Sequence, residues 1–282
     1  MTLTELDSPW LVKLLDGASM WHAGWLYEMI GEAPKDISSE LSSRDFSFLT
    51  RGAIAARAQV VAVAEGFIDR VPSMGSTVRA IVGEVFLLNA PDEFDVSHSE
   101  PRWPNWIFVS APSELCSVSG LRLAENVVHE AMHLQLTALE GHVPLVADTA
   151  SKLASPWKQE PRDLQGILHG LYVFTCISAF FDQLLDNTSM AEDAAAYIGQ
   201  RRAAIREEIA AVSIKHLANG MTDAGRQFLE AINSQPPLRL HPHLPQAPPK
   251  RSALRPPPAR GELRFAPHCH ARLSPGHPAR GN

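Results

Sequence analysis

Two long apolar segments dominate this chain and restrict how it can fold. The first runs from about Leu121 to Leu139 and the second from about Leu164 to Leu185. Both have the length and apolar spacing of helices. A helix that is apolar on most sides is stable only when other elements surround it. The sequence therefore predicts a mainly α fold with these two helices in its core.

Shorter segments complete one helical domain at residues 1–232, with a few short strands. Helices are predicted at about 5–31, 51–69, 191–217 and 222–232, and a short strand at 107–109. Residues 77–88 are apolar but fit a helix and a strand equally, and the polar segment 89–106 is a predicted loop. Residues 233–282 hold 12 of the 22 prolines and few apolar anchors, which predicts a disordered basic tail.

Charge and composition exclude several classes of function. The tail has eight Lys or Arg and one acid, so residues 1–232 carry a formal charge of −13. Such an acidic body argues against nucleic acid as a partner. The N-terminus has no uninterrupted apolar signal region, and His169 and Asp182 interrupt the longest apolar stretch, which predicts neither secretion nor a membrane span. Three cysteines without C-x-x-C spacing predict no cysteine zinc site and fit a reducing cytoplasm.

The first core helix contains His129-Glu130-Ala131-Met132-His133, an H-E-x-x-H motif. Residues four apart lie on one helix face, so His129 and His133 can bind one metal ion with Glu130 beside them. Valine, leucine and methionine flank the motif, and unpaired polar groups in such an apolar layer would be costly. The motif therefore predicts a metal site.

The third metal ligand decides which chemistry the site supports. Leu136 and Leu139 stand where a metzincin peptidase has glycine and histidine, so that class is excluded. A gluzincin takes a glutamate from a second helix, but Glu140 is too close on the same helix and Glu160 lies in a Pro-flanked connector. His169 in the second core helix is the better candidate, with His142, just past the first helix, as its rival. A metal site between the two core helices is thus expected.

Several separated blocks give the chain a family resemblance over about residues 75–232. They are 95–101 leading to 107–110, the H-E-x-x-H motif at 128–133, Ser155-Pro156-Trp157-Lys158 with Pro161-Arg162, His169-Gly170-Leu171-Tyr172-Val173-Phe174, and 221–226. In these blocks the chain resembles the H-E-x-x-H iron(II)/2-oxoglutarate-dependent peptide β-hydroxylases of peptide natural-product (RiPP) biosynthesis.

That resemblance implies an oxygenase that hydroxylates a side chain, at Cβ, of a peptide substrate such as a leader-bearing precursor. His129, His133 and His169 would hold Fe(II), leaving positions for 2-oxoglutarate and O₂. Glu130 would then orient a ligand histidine. In the alternative, a zinc metallopeptidase, Zn(II) takes the site and Glu130 is the general base.

The distal carboxylate of 2-oxoglutarate requires a cation. Arg162 is the preferred candidate, with Lys158 in the same connector second and Arg102 third. Trp157 and Trp103 are candidates for the lining of the substrate cleft, although packing is the commoner role of a tryptophan.

Overall fold

A computed structural model describes residues 24–158, 160–187 and 190–234, without the side chains of Asn187 and Ser234. All but the first two residues of the predicted tail, and most of the predicted N-terminal helix, therefore lie outside the described residues. Within them the mainly α class is confirmed, since ten helices contain most of the structure.

The described residues form ten helices. They are α1 (Trp25–Glu28), α2 (Lys35–Ser42), α3 (Arg51–Ala56), α4 (Ala58–Asp69), α5 (Pro72–Ile81), α6 (Ser117–Glu140), α7 (Leu164–Asn187), α8 (Glu192–Ala210), α9 (Ile214–Asn219) and α10 (Asp223–Ser234).

A small mixed sheet lies against this helical body. Its strands are β1 (Ile30–Gly31), β2 (Glu84–Leu88), β3 (Ser97–His98) and β4 (Trp106–Ser110), in the order β1-β2-β4-β3. The first three positions in that order are parallel, and β3 is antiparallel to β4 at one edge. A separate hairpin joins β5 (Lys152–Leu153) to β6 (Arg162–Asp163), directly before α7.

The alternation of side chains along the strands gives each face of the sheet its own core. Val85 and Ile107 point to the side of α6 and join the main core with α4, α7 and α8. Phe86 and Phe108 point to the opposite side, where their rings stack with centroids 5.3 Å apart beside α2. The sheet is thus the middle layer between α2 and the helical core.

Helices α6 and α7 are the two core helices that the sequence predicts. Each has 24 residues, and most side chains of α6 are buried. Gly120 lets α4 approach closely, because a β-carbon there would collide with the side chain of Val63. By length and composition α7 could cross a membrane, but it is mostly buried inside the fold, as expected of a core helix in a soluble protein.

Some predicted boundaries are wrong. The predicted helix 51–69 is two helices, α3 and α4, with a corner at Arg57. The Arg57 side chain holds this corner, because Nε donates to Ala111 O at 2.8 Å and Nη1 to Ala53 O at 3.1 Å. The predicted helix 191–217 likewise breaks after Ala210, where Val212 turns into the core.

Two segments contain regular structure that the sequence did not predict clearly: one was ambiguous between helix and strand, and the other was predicted to be a loop. Residues 77–88 are the end of α5 followed by β2, so the helical interpretation is right for the first part of the segment and the extended one for the last part. The predicted loop 89–106 contains β3.

Candidate metal centre

The two histidines of the motif lie on one face of α6, as their spacing predicts. The Nε2 atoms of His129 and His133 are 3.2 Å apart. A divalent metal with metal–nitrogen distances of about 2.1 Å keeps two adjacent nitrogen ligands about 3.0–3.4 Å apart. The pair therefore has the separation that one shared ion requires.

The third imidazole comes from α7. His169 Nδ1 lies 3.1 Å from His133 Nδ1, and the two rings stack with centroids 5.4 Å apart. On its other side, His169 Nε2 is 2.8 Å from Glu140 Oε2, which also accepts a hydrogen bond from Gln165 Nε2 at 2.9 Å. This carboxylate holds His169 with Nδ1 directed at the motif, an arrangement typical of metal-binding histidines.

The three imidazoles are close but do not converge on one point. His133 faces His129 with Nε2 and His169 with Nδ1. The lone pairs of these two nitrogens diverge, so one ion cannot bind both. Sharing an ion among all three rings requires at least one of the three rings to move. Accordingly, the described part of the chain contains no group of three or more His, Cys, Asp or Glu side chains arranged as a metal site.

Burial keeps the motif histidines neutral. The pKa of His129 falls to about 3, first because burial penalises the imidazolium and then because of the charges of Arg201 and Lys158. Burial also lowers the pKa of His133 well below its usual value. Neutral imidazoles have a free lone pair at physiological pH, which is the form that binds metals.

Glu130 is buried beside the pair and connects it to the sheet. Its Oε2 accepts a 2.6 Å hydrogen bond from the Ser99 hydroxyl, and its Oε1 lies 3.9 Å from His129 Nε2. Burial raises the pKa of Glu130 to about 7, although hydrogen bonds from Ser97 and Ser99 and the charge of Lys158 oppose that rise. The carboxyl group therefore titrates near neutrality.

Of the three candidate cations for 2-oxoglutarate, Lys158 is the one whose charge acts on the residues of the motif. Its charge lowers the pKa values of His129, His133 and Glu130. Burial lowers the pKa of Lys158 itself, and among the described residues no carboxylate lies within ion-pair distance of it. The Ser155 hydroxyl accepts hydrogen bonds from the backbone N–H groups of residues 157 and 158, which fixes the connector locally.

The other two candidate cations are engaged elsewhere. Arg162 lies on β6 with its side chain 44% exposed and pairs with Glu160 at 3.2 Å. Arg102 pairs with Glu40 and Glu100, and its guanidinium lies 4.1 Å from the ring centre of Trp103. His142, the rival third ligand, is exposed just past the end of α6.

An aromatic and ionic layer packs against one side of His129; of its members, sequence reasoning had singled out Trp157 and missed the roles of Phe174 and Arg201. The edge of Phe174 packs on His129 with centroids 5.3 Å apart, and its face stacks on Trp157 at 5.3 Å. Arg201 lies over the same ring, 5.3 Å from its centre, and is held by Glu125 at 2.7 Å. This layer excludes water from one side of the motif.

The sequence contains a partial signal for the residues that were missed. Ser97 and Ser99 alternate around His98, as side chains of one strand face do, and Glu140 lies seven residues, about two helical turns, beyond His133. Arg201 lies in an ordinary charged helix, so nothing in its sequence context distinguishes it.

No protein-family model matches the chain, and no curated protein matches its sequence.

Proposed function

We propose that this protein is an Fe(II)/2-oxoglutarate-dependent oxygenase of the cytoplasm that hydroxylates an amino-acid side chain, at Cβ, within a peptide. The observation that carries the proposal is the 3.2 Å separation of two neutral Nε2 atoms beside a half-buried lysine that lacks an ion-pair partner among the described residues.

His129 and His133 are the first two iron ligands in this proposal, and His169 is the third once the three rings converge. Iron(II), when bound, supplies the O₂ activation that converts 2-oxoglutarate to succinate and CO₂ and places one oxygen atom in a C–H bond. Glu140 holds the ring of His169 in place through its 2.8 Å contact. Trp157 and Phe174 stack on each other and keep water from one side of the candidate metal centre.

Lys158 binds the distal carboxylate of 2-oxoglutarate in this proposal, in preference to Arg162. A half-buried ammonium without a carboxylate partner gains a charge-assisted hydrogen bond when such a ligand arrives. Arg162 would first have to leave Glu160, and its exposed position gives a weaker electrostatic interaction.

Glu130 acts as a positioning residue in the oxygenase. Its carboxyl group is shared between the serine hydroxyls of the edge strand and the side of His129, so it fixes the separation of α6 from β3. No proton transfer by Glu130 is needed for hydroxylation.

A zinc metallopeptidase is the second candidate, and one specific observation favours it. A buried Glu130 with a pKa of about 7, next to two metal-binding imidazoles, has the properties of a general base for a metal-bound water. In that case Lys158 would bind a carboxylate of the peptide substrate.

The deciding experiment uses full-length protein purified without oxygen. Adding Fe(II) and then 2-oxoglutarate should give a visible charge-transfer band, and admitting O₂ should release succinate. A spectrum of bound Fe(II) that does not change on addition of 2-oxoglutarate would overturn the oxygenase proposal.

Two variants sharpen the result. Glu130→Gln should keep the charge-transfer band in an oxygenase, whereas in a peptidase it should abolish cleavage by the zinc form while metal is retained. His169→Ala should weaken Fe(II) binding, and His142→Ala, which removes an exposed histidine past the helix end, serves as its matched control.

A further inference from the structure

Strand β3 has an outer edge that no described strand covers, since it is the last strand of its sheet. Ser110 N donates to Val96 O at 2.7 Å, which makes these two residues a hydrogen-bonded pair. Antiparallel ladders alternate, so His98 is bonded to β4 and the backbone N–H and C=O of Ser97 point outward. Outside the β3–β4 ladder, no hydrogen bond among the described residues involves the backbone of Ser97 or Ser99.

The extended backbone continues past the strand to Ser99. Ser97 pairs with Val109, which faces the core on the α6 side, and the Ser99 hydroxyl donates to Glu130 of α6, so the two serine side chains lie on the same side of the sheet. Residues two apart share a side only in an extended chain. The outer edge of residues 97–99 is therefore a continuous row of backbone donors and acceptors.

This edge runs beside the imidazole pair. Only the Glu130 carboxylate separates the Ser99 hydroxyl from His129, through contacts of 2.6 Å and 3.9 Å. A chain that paired with the edge would lie about 4.8 Å from β3. Its side chains on the α6 side of the sheet would then face the candidate metal centre.

We propose that the outer edge of residues 97–99 binds the backbone of the peptide substrate as an added β-strand. The inference rests on the proposed function only in that the substrate is a peptide. Because side chains of a strand alternate, only every second residue of the bound peptide can face the imidazoles in one register. Backbone pairing supplies the affinity, and the register selects the residue that is modified.

A peptide fits this edge better than a second copy of the protein. The regular strand is two residues long, and Pro101 follows shortly after it, both features that limit edge-to-edge pairing of folded chains. A stable interface between folded proteins needs about 1,000 Å² or more, which so short an edge does not offer.

Hydrogen–deuterium exchange at single-residue resolution tests the proposal on the full-length chain. The amides of Ser97 and Ser99 should exchange freely in the protein alone, while the amide of His98 is protected. Randomised decapeptide pools, added without oxygen in the presence of Fe(II) and 2-oxoglutarate, should protect Ser97 and Ser99. The same pools with N-methyl groups at alternate positions should lose at least tenfold in protection.

Three results would overturn the proposal. Protection of Ser97 in the protein alone would show that the chain covers its own edge, and protection that grows with protein concentration would show pairing between copies. Absence of protection with every unmethylated pool would leave the edge without a peptide. None of these depends on the charge-transfer band, so failure of the oxygenase proposal is recognised separately.

A pair of variants separates the backbone of Ser97 from its hydroxyl. Ser97→Ala removes only the hydroxyl, whereas Ser97→Pro also removes the outward N–H without touching the bonds of His98. Protection of Ser99 by the pools should fall at least fivefold more in the proline variant than in the alanine variant. Equal loss in two folded variants would contradict backbone pairing.

Discussion

Gly170→Ala is expected to destabilise the protein through one contact beside the candidate metal centre. A β-carbon at Gly170 would lie 2.5 Å from two ring carbons of Trp157, which stacks on Phe174. The indole must move by about 1 Å, and such overpacking costs about 1–3 kcal/mol. Alanine gains about 1 kcal/mol over glycine in a helix, so the net loss is about 0–2 kcal/mol.

Gly199→Ala is the matched control, because Gly199 also lies inside a helix but a β-carbon there has nothing within 4 Å. It should stabilise the protein by about 0.5–1 kcal/mol. For a domain of this size 1 kcal/mol corresponds to about 2–4 °C in Tm, so calorimetry should place the Tm of Gly199→Ala above that of the wild type and the Tm of Gly170→Ala below that of Gly199→Ala.

The effect of a moved indole on the candidate metal centre can be measured with the same two variants. Lys158 follows Trp157 in the chain, so moving the indole should weaken 2-oxoglutarate binding in Gly170→Ala and leave it unchanged in Gly199→Ala. A rise in Tm for Gly170→Ala, equal to that of the control, would refute the close packing on which the reasoning depends.

Three further predictions concern single side chains. Lys158→Met should weaken 2-oxoglutarate binding at least tenfold by anaerobic titration, whereas the matched Arg162→Met should change it less than twofold; the reverse order would favour the arginine. Glu140→Ala should weaken Fe(II) binding about 10–100-fold, since it frees the His169 ring, and Glu140→Gln, which keeps an acceptor, should lose less; equal affinities would remove Glu140 from the site. Burial would raise the pKa of Glu100, but hydrogen bonds from two arginines and His98 hold it at about 2, below its usual 4.5. A carboxylate whose pKa is lower in the folded than in the unfolded protein stabilises the fold at pH values above the unfolded pKa. Urea unfolding at pH 7 should therefore give a lower free energy of unfolding for Glu100→Gln than for the wild type, and the difference should close as the pH falls from 4.5 towards 2. A difference independent of pH would contradict this.

Long periodic segments were predictable from the sequence because burial of one continuous helix needs many apolar residues in register. Helices α6 and α7 appear within a few residues of their predicted bounds, and His129 lies close to His133 as the motif requires. The short strand β4 also appears at its predicted place, extended by one residue at each end.

Features that depend on distant partners were not predictable. The corner at Arg57 depends on a carbonyl 54 residues away, and β3 is too short to show an alternating pattern. The choice between Lys158 and Arg162 depends on burial and on which of the two pairs with Glu160, and the local sequence does not decide either. The Fe(II) and 2-oxoglutarate assignments stay predictions.

The corner at Arg57 restricts how the lengths of two segments can change during evolution. Its guanidinium joins a helix end to Ala111, in the short connection between β4 and the helix of the metal motif. The lengths of that corner and that connection are therefore tied to each other, although they lie far apart in the chain. We expect insertions at either one to be tolerated only with a compensating change at the other, so the two segments should vary in length together among related proteins.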